Sequence, residues 1–384
     1  MVATDMITAL QEGSRLASNR DDDMYDRLSN RWSVGLIIAF ALLISSSSYI
    51  GDPIDCYEPQ EFEDNWIEYM DNICWIANTY YVPWNESIPN PDQPYKQELQ
   101  YYQWVPIILT IQAALFLVPA AFWNMVAQHS GYGIKDIVKS CRDMEMIEPE
   151  KRDETIAFLA SNMIRFINYR QPYKSRKSPM GKRYGNFVFI MYLFSKCLYI
   201  INAIIQIFLL DYILGDGYHI FGYQALVNML WKVEWNVSPM FPRITLCSFE
   251  IRRLGSNIHR YTVQCLLSVN LFNEKVYMII WWWLIFVAGM SILGLLLWLA
   301  NATSPGAQRT YVRKYLKIMG LGGNREDEVE EFTNFLRLDG VFTLRQIAKN
   351  TNDAVCGEVV KALWEKYQKE NKNRLNYGET ESLA

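Results

Sequence analysis

The chain has 384 residues, 51% of them apolar and 14% aromatic, with 37 Lys and Arg against 41 Asp and Glu. A mean hydropathy of −0.05 has the look of a soluble protein, but the apolar residues are gathered into long uncharged runs, which excludes an ordinary soluble domain. With three histidines, and no Ser/His/Asp set, Cys/His set or phosphate-binding GxxxxGK[ST] loop in supporting context, the composition offers little to an enzyme.

Residues 1–31 mix Val2, Met6, Ala9, Leu10 and Gly13 with polar positions and carry Asp5, Glu12 and the triplet Asp21 to Asp23. Twenty residues without a charge then separate Arg31 from Asp52. A bilayer core of about 30 Å takes roughly 20 residues of helix, and a charge at its centre is costly, so 32–50 is expected to be a first span. No small-residue cleavage site follows it, and it is expected to stay in the membrane. Residues 51–103 are strongly acidic, with one lysine against eleven Asp and Glu, and contain the sequon Asn85-Glu-Ser87.

Between Glu98 and Lys135 the only ionisable side chains are tyrosines and His129, which predicts a second span over 104–127 with Pro119 inside it. A proline lacks the N–H of a helix interior and is expected to kink this span. In 128–183, Pro149 and Glu150 open a helix with Ile156, Leu159, Met163, Phe166 and Ile167 on one face. A basic connector, 171–186, follows and suits anionic lipid heads. The third span, 184–210, contains Lys196, which either snorkels or faces the interior. Residues 211–275 hold a second sequon, Asn236-Val-Ser238, and 276–300 lies in a stretch with no charge between Lys275 and Arg309. In 301–384, helices are predicted over 311–319, from the acidic residues Glu326 to Glu331 onward, and over 341–349 and 353–369, with Asp339 and Asn352 as caps.

Lysines and arginines set the orientation. Segments 1–31, 124–186 and 300–384 carry 4, 12 and 13 of them, whereas 51–103 and 211–275 carry 1 and 6. The positive-inside rule therefore places both termini and the middle loop in the cytoplasm. The cysteines agree: Cys56 and Cys74 fall in the first outer segment and Cys247 and Cys265 in the second, where disulfides persist. Cys141 and Cys356 fall inside and Cys197 in the third span. Four cysteines allow three connectivities, and spacing does not choose among them. The expected fold is an all-α membrane protein: a four-helix transmembrane bundle with disulfide-stapled extracellular loops and a helical cytoplasmic domain.

At the entrance to the second span the chain reads Tyr101-Tyr102-Gln103-Trp104-Val105. This resembles the YYQWV signature of the innexins, the invertebrate gap-junction proteins, and four spans, two cysteines per outer loop and Pro119 are similar to that family as well. The resemblance covers residues 20–320 and suits a nematode paralogue. It implies a ring of eight subunits docked head-to-head onto a ring in the next cell, with other innexins as further partners. Passive passage of ions and small metabolites follows, with no nucleotide, metal, other cofactor or nucleic acid. It also implies Cys56 paired with Cys265 and Cys74 with Cys247, and an N-terminal funnel at the pore mouth, with Met1, Val2, Asp5 and Ala9 as lining candidates. The serine-rich end of the first span (Ser45, Ser46 and Ser48) and Asp52 and Asp55 are the other pore-lining candidates, the two aspartates favouring cations. Glycans at Asn85 and Asn236 would hinder docking, which leaves an undocked hemichannel as the alternative. A four-pass adhesion or scaffold protein without a pore is the remaining one.

Overall fold

The computed structural model describes residues 23–49, 51–57, 59–60, 62–77, 79–88, 98–130, 133–143, 149–170, 185–215, 217–231, 240–253, 255, 257–321 and 326–382. Four helices among them are long and apolar enough to cross a membrane. They are α1 (Met24–Ser48), α3 (Val105–His129), α6 (Phe187–Leu214) and α8 (Ser268–Thr303). A π-helical stretch, Leu28–Trp32, interrupts α1 near its start. The chain divides into two compact units: Met1–Arg31, Leu117–Ile201 and Gly289–Ala384 in one, Trp32–Phe116 and Asn202–Ala288 in the other.

Among the described residues the first unit adds five helices to the long ones: α4 (Ile134–Asp143), α5 (Pro149–Arg170), α9 (Pro305–Ile318), α10 (Glu326–Asn350) and α11 (Asp353–Ser382). The 3.6-residue period of α5 buries Ile156, Leu159, Met163 and Ile167 and half-buries Phe166. Ser304 caps α9, its hydroxyl accepting from the Ala307 N–H, with Pro305 in the first position. Asn352 caps α11 by accepting from Val355 N–H at 2.8 Å. Asp339 does something the sequence did not suggest. α10 breaks at Arg337 (φ 55°), and the Asp339 carboxylate accepts from the Phe189 N–H at 3.1 Å, capping the start of α6 instead of its own helix. Gly185 just before α6 has φ +72°, and a Cβ there would stand 2.7 Å from the Arg337 side chain, so glycine is required. An aromatic core of Trp123, Phe189, Tyr192, Trp298 and Phe342 ties α3, α6, α8 and α10 together. The Arg152 guanidinium clasps Glu358 through two 2.9 Å hydrogen bonds and joins α5 to α11.

The second unit contains a five-stranded sheet within the disulfide-stapled loops, for which no elements were predicted from the sequence, in the order β1-β5-β4-β2-β3. Its strands are β1 (Asp55–Cys56), β2 (Thr79–Tyr80), β3 (Glu98–Leu99), β4 (Ile244–Arg253) and β5 (Asn257–Leu266). The antiparallel hairpin β4–β5 pairs Ile244 with Leu266 through to Arg253 with Asn257. α2 (Asp64–Ile76) packs on β1 and β4, and a further short helix of this unit is α7 (Tyr218–Leu230). The Asp211 carboxylate accepts from the Gly217 and His219 N–H groups at the start of α7, at 3.1 and 3.0 Å. α7 then packs on α8: Tyr218 donates to the Tyr277 carbonyl at 2.9 Å, and Gly222 lies flat against the Trp281 ring.

Candidate functional site

The four cysteines of the second unit form two bonds, Cys56–Cys265 and Cys74–Cys247. Cys56 and Cys265 are directly opposite across the β1/β5 pair, while Cys74 in the last turns of α2 reaches Cys247 in β4. The sulfurs of Cys56, Cys74 and Cys265 lie within 4.8 Å of one another, so the two bonds sit side by side. All four residues are at most 2% exposed. Each bond joins 51–103 to 211–275, and none of the four sulfurs remains a thiolate for a metal.

The pentapeptide Tyr101–Val105 closes this arrangement. Tyr101 donates to the Met240 carbonyl at 2.9 Å and to Asn270 Oδ1 at 3.3 Å. Tyr102 donates to the Trp75 carbonyl at 3.2 Å, and Gln103 Nε2 donates to the same carbonyl. The last carbonyls of a helix have no partner within it, so Tyr102 and Gln103 cap the C-terminal end of α2 one residue after the Cys74 staple. Burial raises both tyrosine hydroxyls, Tyr102 to about 12, and they stay protonated donors. Trp104, next in the pentapeptide, is 57% exposed. The signature is therefore a brace between the stapled loops and the entrances to α3 and α8. That role was invisible in the sequence because its partners are backbone carbonyls far along the chain.

The other sequence candidates are scattered in environment. Ser45 and Ser48 are half-buried, and Ser46 is exposed with its hydroxyl donating to the Leu43 carbonyl at 2.8 Å. Asp52 and Asp55 are exposed, the former held through its carbonyl by Ser268 Oγ at 2.7 Å, the latter paired with Leu266 in the sheet. Asn85 is exposed in a turn. Pro119 lies inside α3, and its carbonyl accepts from Ser195 Oγ at 3.4 Å. Met1, Val2, Asp5, Ala9 and Asn236 lie outside the described residues, as does most of the basic connector.

Lys196 faces the interior. Its ammonium donates to Asp26 at 2.7 Å and to Asp23 at 3.4 Å, and lies 5.1 Å from the Tyr192 ring. Tyr192 and Trp298 also donate to these carboxylates, at 3.1 Å to Asp26 and 2.6 Å to Asp23. A charge this buried is tolerated only when paired, and stranding one partner costs about 3–5 kcal/mol.

The innexin family model matches residues 22–367. The chain is 35% identical to innexin unc-9 of Caenorhabditis elegans over 90% of its own length and 92% of that protein. It is 32% identical to innexin-11 of the same species over 96% and 83%, and 30% identical to innexin-19 of Caenorhabditis briggsae over 93% and 89%. Members of that family are plasma-membrane gap-junction channel proteins and not enzymes. The stapled loops, the bracing pentapeptide, the four apolar helices and these likenesses lead to one conclusion: the chain belongs to the innexin family.

Proposed function

We propose that this chain is a subunit of an intercellular channel that passes ions and small metabolites between adjacent cells. The observation that carries the reading is the pair of side-by-side disulfides joining the two loops, with Tyr101, Tyr102 and Gln103 bracing them to the long helices. A surface held rigid in advance loses little entropy when it meets a matching surface on another cell. The charge bias orients this face outward and both termini inward. Subunits form a ring, eight by likeness to the family, with the first span and the N-terminal segment on the pore and Pro119 kinking the second span. Asp52 and Asp55, exposed and repeated around a ring, favour cations.

The exposed Asn85, followed by Glu86 and Ser87, supports a second reading, an undocked hemichannel whose glycan holds an opposing ring away. Dye spread separates the two. In a cell sheet expressing the chain, a small cationic dye injected into one cell reaches its neighbours under the first reading. Under the second it is lost to the medium, and Asn85→Gln converts loss into transfer.

A further inference from the structure

The buried pair of α1 and α6 has a second, more exposed half. At the C-terminal end of α10, the Lys349 ammonium reaches Asp23 Oδ2 at 3.1 Å and lies 4.3 Å from the Trp298 ring. One residue on, Asn350 Oδ1 accepts from Arg27 Nη2 at 2.7 Å. Asp23 and Arg27 are one helical turn apart, so α10 grips the first turn of α1 at two adjacent points. The two halves differ in solvent contact. The Lys196 and Asp26 side chains are 2% and 5% exposed, whereas Lys349 is 45% exposed.

We propose that Lys349 and Asn350 form a releasable latch through which the C-terminal helices position the start of the first span, and with it the conducting state of the channel. This rests on the channel reading, in which the first span borders the pore. The buried Lys196–Asp26 pair cannot open without stranding a charge, so it holds α1 in place. In the Lys349–Asp23 pair only the lysine end can swing into water; Asp23, 4% exposed, stays behind with Lys196 and Trp298 as partners, so its charge is not stranded. The chain just beyond the latch is the π-helical stretch Leu28–Trp32. Such stretches sit where a helix rewinds at functional sites, and here it gives the first turn of α1 somewhere to move. Lys349 and Asn350 are positioning residues: they act on the pore through Asp23 and Arg27.

The test is the conductance–voltage relation of unpaired cells expressing the full chain, with surface biotinylation recorded beside it. Lys349→Gln is expected to leave surface delivery unchanged and to alter the closed-to-open ratio about two- to fivefold per subunit, the range of a partly exposed pair. Lys349→Arg, which keeps the charge, is expected to gate as the unsubstituted chain does. The decisive comparison repeats Lys349→Gln in an Asp23→Asn background, where the latch has no carboxylate to hold and the change should vanish. A general effect of surface charge on the pore would persist there and overturn the latch, as would unchanged gating in Lys349→Gln. Should Asp23→Asn fail to reach the surface, the contrast between Arg and Gln at 349 decides alone. If the unsubstituted chain carries no current, paired or unpaired, the channel reading falls, and the latch with it.

Discussion

Removing the Cys74–Cys247 bond by Cys74→Ser is the perturbation whose cost the structure sets most directly. Alone, this bond closes a separation of 173 residues, but Cys56–Cys265 already closes 209. With the latter intact, the loop left to close is the difference, 36 residues. The chain-entropy relation then gives about 4 kcal/mol of stabilisation lost from the unfolded side. Cys74→Ser also removes the covalent tie of α2 to β4, so the helix end that Tyr102 and Gln103 brace is held to the sheet only by weaker contacts such as Asp71 with the Cys56 N–H at 3.1 Å. The expected result is a melting temperature lower by on the order of 10 °C in detergent, with junctional coupling abolished. Cys74→Ser/Cys247→Ser should cost about as much as either alone, because both remove one bond. Coupling and melting like those of the unsubstituted chain would refute a structural role for the bond.

Gly222→Ala would set a Cβ 2.2 Å from the Trp281 ring. Overpacking of this kind costs about 1–3 kcal/mol, read as a lowered melting temperature, and a neutral outcome would show that α7 shifts freely on α8. Tyr101→Phe removes the donor to the Met240 carbonyl and one of two donors to Asn270 Oδ1, which keeps Asn273 Nδ2, for about 0.5–1.5 kcal/mol; loss of surface protein without loss of synthesis is the expected sign. Burial pushes the Cys141 and Cys356 thiols up to about 12. At pH 7.5 both should resist a maleimide until the protein is unfolded; fast labelling in the native state would contradict the packing of α4 and α11.

The spans were legible because uncharged runs of some twenty residues have few other uses, and the face of α5 because its apolar residues keep helical spacing. The sheet was not legible. β1, β2 and β3 are two residues each, too short to show alternation, and they exist because the disulfides and the long β4–β5 hairpin bring them into register. α2 and α7 were hidden for a related reason: each sits in a loop between spans and is fixed by partners far along the chain, Trp75 by Tyr102 and Tyr218 by Tyr277. The same holds for Lys196. Its alternatives, snorkelling or interior, turned on whether carboxylates awaited it, and Asp23 and Asp26 lie 173 and 170 residues earlier. Asn352 caps its own helix and was readable locally, whereas Asp339 caps a helix begun some 150 residues before it.

The central claim is that the stapled, braced face joins two cells through one pore. Current between two paired cells, each expressing only this chain, tests it most directly, with membrane current of an unpaired cell recorded alongside. The account predicts large junctional conductance that disappears in Cys74→Ser. Protein at both surfaces with no junctional conductance would contradict it.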